Sequence, residues 1–199
     1  RADAMSATTA RTVAHHLLEI EALAFRPEAP ATTPGGRPTP LVVDGRRIIA
    51  HPRLRRRLVR LAAEQLAEAC GIDAFDAVAG AETAGLPLAA WLADELMLPM
   101  YYVRKQPKGF GRNAAIEGRA AEGARVLLVD DTATDGGSKL AFADALRAAG
   151  ARVDHALVVC AAGIWPDAER GLREAGLALH ALTTWRDLAA AARESGRLP

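Results

Sequence analysis

The apolar run Val126, Leu127, Leu128 and Val129 turns within a single residue into two carboxylates, Asp130 and Asp131, and then into a turn of small residues, Thr134, Asp135, Gly136, Gly137 and Ser138. A short, unbroken apolar stretch followed by helical patterning predicts a parallel strand covered on both faces, which restricts the chain to an α/β architecture. Ligands in such open sheets bind beyond the carboxyl ends of the strands, so both carboxylates are expected to face a ligand and not the core. Ionised Asp only accepts hydrogen bonds, and a pair of them suits the adjacent hydroxyls of a ribose. The glycines let backbone N–H groups crowd an anion, and the helix expected from about Lys139 to Ala149 adds roughly half a positive charge at its start. The stretch therefore suits a sugar phosphate. Its spacing is neither that of a Walker A loop nor that of a dinucleotide-binding Gly-x-Gly-x-x-Gly turn. The plainer alternative is a strand, turn and helix whose acids only cap the helix, but the carboxylates precede the glycines by too far for that.

A second segment, Tyr101 to Gly118, carries Arg104, Lys105, Lys108 and Arg112 among Pro107, Gly109 and Gly111. No stable helix or strand is expected there, and the cations read as a basic loop of the kind that closes over a polyanion. The plainer reading is a solvated basic loop.

Taken together, the strand, the two acids, two further residues and the Thr-x-Gly-Gly-Ser loop resemble the phosphoribosyl pyrophosphate (PRPP) motif of type I phosphoribosyltransferases. The basic segment resembles the catalytic loop of the orotate phosphoribosyltransferases in that family, with Phe110 where a His usually precedes the glycine. Ala77 to Gly85, AVAGAETAG, resembles the family's pyrophosphate loop, and Gly36, Pro40, Asp44, Arg46 and Pro52 resemble its N-terminal hood.

The resemblance implies a Rossmann-like parallel sheet flanked by helices, with a small N-terminal hood. One domain would span residues 1–199, with about 1–50 as helix and hood and about 51–199 as the core. The reaction implied is transfer of the 5-phosphoribosyl group of PRPP to orotate, giving orotidine 5′-monophosphate and pyrophosphate in pyrimidine nucleotide synthesis. It further implies PRPP binding by Arg104, Lys105, Lys108, Asp130, Asp131, Thr132, Ala133, Thr134, Asp135, Gly136, Gly137 and Ser138. Lys108 and Asp131 would be catalytic, and Thr134 would touch the base. Mg²⁺ would be carried by the PRPP oxygens, and a homodimer would share the basic loop across subunits.

Orotate phosphoribosyltransferases commonly place a Lys, an aromatic pair and a carboxylate-binding Arg around the base. At those places stand Pro34, Leu41 with Val42, and AAGIWPDA, which has no Arg. Ile164, Trp165 and Pro166 resemble an alternative form of the last segment. The acceptor therefore stays open between orotate and another base, as does a non-catalytic PRPP-binding regulator.

A chain of 199 residues, half of them hydrophobic, can bury a sizeable core, and a net charge of +1 speaks against wholesale nucleic-acid binding. Arg53, Arg55, Arg56, Arg57 and Arg60 interleave with leucines at helical spacing, which predicts a solvated helix face ahead of an RNA surface. No apolar run is long enough for a membrane span, and the N-terminal stretch has no apolar core of the kind a secretion signal needs. Cys70 and Cys160 lack CxxC spacing and a nearby His cluster. They are expected to be buried free thiols in a cytoplasmic protein without a structural metal. His15, His16, His51, His155 and His180 are scattered without zinc-site spacing.

Overall fold

The computed structural model of the chain describes residues 2–33, 35–71, 73–106, 115–118 and 121–197. Lys108, Phe110, Arg112 and Pro34 lie outside the described residues. The chain opens with helix α1 (Ala2–Glu19). A helix continuing to Leu23 is the sequence expectation, but Glu21 takes φ 56° and the chain turns into strand instead. Two small antiparallel ribbons follow, β1 (Leu23–Phe25) with β4 (Leu41–Val43) and β2 (Ala31–Thr32) with β3 (Pro38–Thr39). A 3₁₀ turn over Gly45–Ala50 closes this hood, its first turn capped by the Asp44 side chain.

Helix α2 (Pro52–Cys70) starts on a proline, whose missing N–H costs nothing at that position. Strand and helix then alternate through β5 (Ala77–Ala81), α3 (Gly85–Leu96), β6 (Met100–Val103), β7 (Ile116–Glu117), β8 (Arg125–Ala133), α4 (Gly137–Ala148), β9 (Arg152–Ala161), α5 (Pro166–Glu174), β10 (Ala178–Thr184) and α6 (Trp185–Glu194). The sheet runs β10-β9-β8-β5-β6-β7, parallel except for β7 at one edge. This is the α/β architecture that the apolar run at 126–129 predicts.

Successive side chains of β8 go to opposite layers. Leu127 and Val129 join Leu58, Leu92 and Leu188 of α2, α3 and α6, while Val126 and Leu128 join Phe142 and Leu146 of α4 and Leu172 of α5. Both layers are fully desolvated at the strand, which is why its sequence shows no polar alternation. Four of the five arginines of α2 fall as expected, Arg53, Arg56, Arg57 and Arg60 being exposed, whereas Arg55 is half-buried over the Trp91 ring and Leu58 and Val59 are buried. No described helix is long and apolar enough to cross a membrane.

Three expectations need correcting. β8 continues past the apolar run, pairing with β9 as far as Ala133 opposite Ala161, so Asp130 to Ala133 are strand residues and not a loop beyond it. Met100–Val103 is strand as the sequence predicts, but the basic segment after it is not free of regular structure, since Ile116 and Glu117 pair with Val103 and Tyr102 and close its neck as an antiparallel ribbon. Finally, Cys70 does have a His cluster beside it. The parallel pairing of β9 and β10 sets His155 opposite Ala178, two residues before His180, and the end of α2 delivers Cys70 to the same face.

Candidate functional site

At the carboxyl end of β8 lies a cleft of about 420 Å³. Asp130, Asp131, Thr132, Thr134 and Ser138 line one side of it, Asp44 and Arg46 of the hood another, and Glu82, Thr83, Ala84 and Lys105 a third. The structure thus brings together the expected acids, Thr132, Thr134, Ser138 and Lys105, residues that come from two separate stretches of the chain.

The two acids differ in kind. Asp130 is buried, its side chain ion-paired with Lys139, and its Oδ1 accepts the Asp131 backbone N–H at 2.9 Å. A lysine 3% exposed in the first turn of a helix has no business there without such a partner, because an unpaired buried ammonium is very costly. Asp130 therefore serves Lys139 and the strand first: both acids reach the cleft as expected, but Asp130 is also buried against the core. Asp131 keeps its outer oxygen toward the cleft, beside Gly45 of the hood, while Oδ1 accepts the Thr132 N–H at 2.8 Å. Burial, and then the neighbouring Asp130 charge, push the Asp131 carboxyl up to about 6, against the smaller opposing pull of Lys139. A Cβ at Gly45 would sit 2.7 Å from the Asp131 Cβ, so only glycine lets the hood approach this closely.

The turn after β8 forms the expected nest at the start of α4. Gly136 caps the helix with φ 80°, a conformation that side chains other than hydrogen rarely accept, and a Cβ there would also press on Leu172. Gly137 has no such demand, its nearest neighbour being Asp135 Oδ1 at 3.6 Å from a virtual Cβ. Asp135 is held between two backbones, accepting the Gly35 N–H of the hood at 2.6 Å and the Gly137 N–H at 3.2 Å. Ala133 is buried in the strand.

Around the opposite wall, Glu82 organises the basic segment. It accepts the Tyr102 hydroxyl and the Lys105 backbone N–H, each at 2.7 Å, and the first of these bonds, then the second, holds its carboxyl below the usual range. Arg104 is turned to Glu117, donating from Nε and Nη2 at 2.9 and 2.7 Å, and lies 5.2 Å from the centre of the Tyr102 ring. It thus seals the neck of the segment and leaves Lys105 as the described cation of that segment on the cleft wall. Sequence reasoning missed Lys139 and Glu82. The signal for Lys139 was present: a Lys at the positive end of a helix, where cations are disfavoured, nine residues after an Asp.

On the side toward β9, Arg37 of the hood pairs with Asp167 through both guanidinium nitrogens and lies 5.3 Å from the Trp165 ring centre. Trp165 packs edge-on against Trp185 with centroids 5.5 Å apart. Hood and α5 are thereby clasped at the place where the sequence lacks the usual base-binding residues.

An acidic pair on a central parallel strand, a glycine turn opening the next helix and a hood over both define an α/β protein with a hooded cleft at the carboxyl end of its sheet. Residues 46–171 match the family model described as phosphoribosyl transferase domain, and the chain belongs to that family. Within it, the chain is most like the orotate phosphoribosyltransferases. It is 52% identical over 187 residues to the orotate phosphoribosyltransferase of Cereibacter sphaeroides, covering 94% of this chain and 81% of the relative. The crystal structure of orotate phosphoribosyltransferase from Aeropyrum pernix superposes with a TM-score of 0.76 at 30% identity, covering 92% of this chain and 98% of that one. That of the Mycobacterium tuberculosis enzyme in complex with PRPP gives 0.66 at 25% identity, covering 91% and 99%.

Proposed function

We propose that the chain transfers the 5-phosphoribosyl group of PRPP to orotate, releasing pyrophosphate and forming orotidine 5′-monophosphate in pyrimidine nucleotide synthesis. The observation that carries this reading is the half-buried Asp131 facing a cleft shared with Lys105 and the α4 nest, on a chain 52% identical to an orotate phosphoribosyltransferase. That identity, and the relatives' consistent assignment as enzymes, favours orotate over another base and catalysis over a purely regulatory role.

In the reaction the bond from the anomeric carbon to the pyrophosphate oxygen breaks and a bond to a ring nitrogen of orotate forms. Positive charge grows on the ribose ring and negative charge on the leaving group. The Asp131 carboxylate, in a partly desolvated site, opposes the first where water would screen it least, and it accepts from a ribose hydroxyl. Lys105, and Lys108 from the same basic segment, oppose the second. Backbone N–H groups at the start of α4, with Ser138 and Thr134, seat the 5-phosphate. Asp130 acts through Lys139, fixing the strand end on which Asp131 stands.

The donor set also suits Mg²⁺: burial and then the neighbouring Asp130 charge raise the Asp131 carboxyl, a cost that a divalent cation carried by the PRPP oxygens would relieve. When bound, the ion would neutralise phosphate charge during departure of pyrophosphate. Two further parts of the reading rest on the family resemblance: a homodimer in which the basic segment of one subunit completes its neighbour's site, and a cytoplasmic location, with which the two free thiols agree.

The test is direct. Purified protein is incubated with PRPP, Mg²⁺ and, in separate reactions, orotate, uracil, adenine, guanine and hypoxanthine, with nucleotide and pyrophosphate both quantified. Conversion of orotate well above the other bases is expected. Preference for another base, or none converted by folded protein, overturns the assignment.

A further inference from the structure

Cys70, His155 and His180 meet away from the cleft, and no step of the phosphoribosyl transfer uses them. His155 pairs with Leu127, four residues before Asp131 on β8, which places the cluster about 13 Å from the acids along the strand direction, at the amino ends of β9 and β10. Cys70 Sγ is 3.7 Å from His155 Nδ1 and 3.6 Å from His180 Nε2, and the two ring nitrogens are 3.0 Å apart.

These three lengths are close to the edges of a coordination tetrahedron. Zn–S of about 2.3 Å and Zn–N of about 2.05 Å at the tetrahedral angle put sulfur about 3.6 Å from each nitrogen and the nitrogens about 3.3 Å apart. Hydrogen bonding explains the triangle less well. A ring nitrogen carries one in-plane lone pair or one N–H, so it serves one partner well, yet each nitrogen here faces two. A single cation between the three atoms satisfies all of them at once. The surroundings hold the donors in place: the imidazoles are stacked with centroids 5.2 Å apart, and Phe75 packs edge-on against His155 at 5.6 Å. All three residues are half-buried, which leaves a fourth position open to water.

We propose that Cys70, His155 and His180 form a three-ligand Zn²⁺ site that ties the end of α2 to β9 and β10. One thiolate and two imidazoles are a donor set for a borderline-soft ion, and they discriminate against Mg²⁺, which prefers oxygen and keeps its waters. Binding displaces the thiol proton to solvent, with no change of oxidation state. The ion adds a link between the end of α2 and the paired strands β9 and β10, which α2 otherwise meets through packing and the Gln65 side chain donating to the Ala181 carbonyl, so its role is to stabilise the fold.

The experiment is a Co²⁺ titration of reduced, chelator-treated protein in excess Mg²⁺, which occupies oxygen sites. The expected result is a thiolate-to-cobalt absorption band in the near ultraviolet that saturates at one equivalent and is displaced by Zn²⁺. Zn²⁺ at about a hundred times its dissociation constant should raise the melting temperature by roughly 5–10 °C. Cys70→Ser should abolish the band, His180→Gln should weaken Co²⁺ binding at least tenfold, and both should lose most of the thermal shift. Cys160→Ser, which alters the other thiol, should keep both signals. Absence of the band at one equivalent, its persistence in Cys70→Ser, or an unchanged Zn²⁺ shift in His180→Gln would overturn the proposal. If Cys70→Ser does not fold, the wild-type stoichiometry and His180→Gln decide.

Discussion

Replacing Asp131 with Asn should remove activity and, at neutral pH, make the unliganded protein more stable. Burial and the Asp130 charge raise the Asp131 carboxyl from its ordinary 3.8 to about 6. A carboxyl whose folded value lies above its unfolded one favours folding only while protonated, so its ionisation removes stability as pH rises from about 4 through about 6. The rise corresponds to about 3 kcal/mol of stability, fully lost above about pH 7. Asn keeps an oxygen for the Thr132 N–H, which donates to Oδ1 at 2.8 Å in the native protein, and carries no charge to desolvate. In a chain of 199 residues the gain converts to a melting temperature higher by roughly 5–10 °C at pH 8. At pH 4.5 the folded carboxyl is mostly protonated but the unfolded one is not, so the difference should fall to about 1 kcal/mol, roughly a third of its value at pH 8. Scanning calorimetry of both proteins across pH 4.5–8, without PRPP or divalent cations, measures this. An Asn variant less stable at pH 8, or a difference that does not change with pH, would refute the account of Asp131 as a carboxylate held in an unfavourable place for catalysis.

Other consequences follow from the same site. Lys139→Met preserves much of the side-chain volume but leaves Asp130 buried without its cation, and should cost about 3–5 kcal/mol by urea unfolding; adding Asp130→Asn should recover a large part of that. Lys108→Ala should lower kcat by about a hundredfold while changing the calorimetric affinity for PRPP much less, the pattern of a charge that acts mainly in the transition state. If the basic segment completes the neighbouring subunit's site, mixing Lys108→Ala with Asp131→Asn should restore roughly a quarter of native activity after random subunit exchange, since about half the dimers are mixed and each has one intact site. No recovery after proven exchange would mean that each subunit uses its own segment.

Much of this was legible from 15 residues. The run at Val126 to Val129 announces a strand covered on both faces because every side chain in it is buried, and the glycine nest announces itself because Gly136 is where the backbone needs φ 80°. What stayed hidden depends on contacts between residues far apart in sequence. Lys139 at the start of a helix hints at an acidic partner, but nothing local says that the partner is Asp130 and that Asp131 is left to the cleft, since adjacent strand residues look alike until the helix that follows folds back over one of them. Glu82 sits in a stretch that reads as small-residue packing, and its role shows only when β5 and β6 lie side by side. The Cys70 cluster was hidden for the same reason: its members are 85 and 25 residues apart, and only the register of β9 against β10 brings the two imidazoles together.

Asp135 carries a consequence for anyone who would redesign the acceptor. Its carboxylate joins Gly35 to Gly137, backbones a hundred residues apart, and a methyl group at position 35 would fall 2.4 Å from one of its oxygens. If the hood reads the base and the turn the phosphate, as proposed, the two are consequently not interchangeable parts. A hood borrowed from a relative with different base preference would have to present a side-chain-free residue and a free N–H at the same spot, or the seat of the phosphate would shift with it. Changes of specificity in this scaffold are thus expected to come from single residues within the hood, with the splice points kept on either side of that joint.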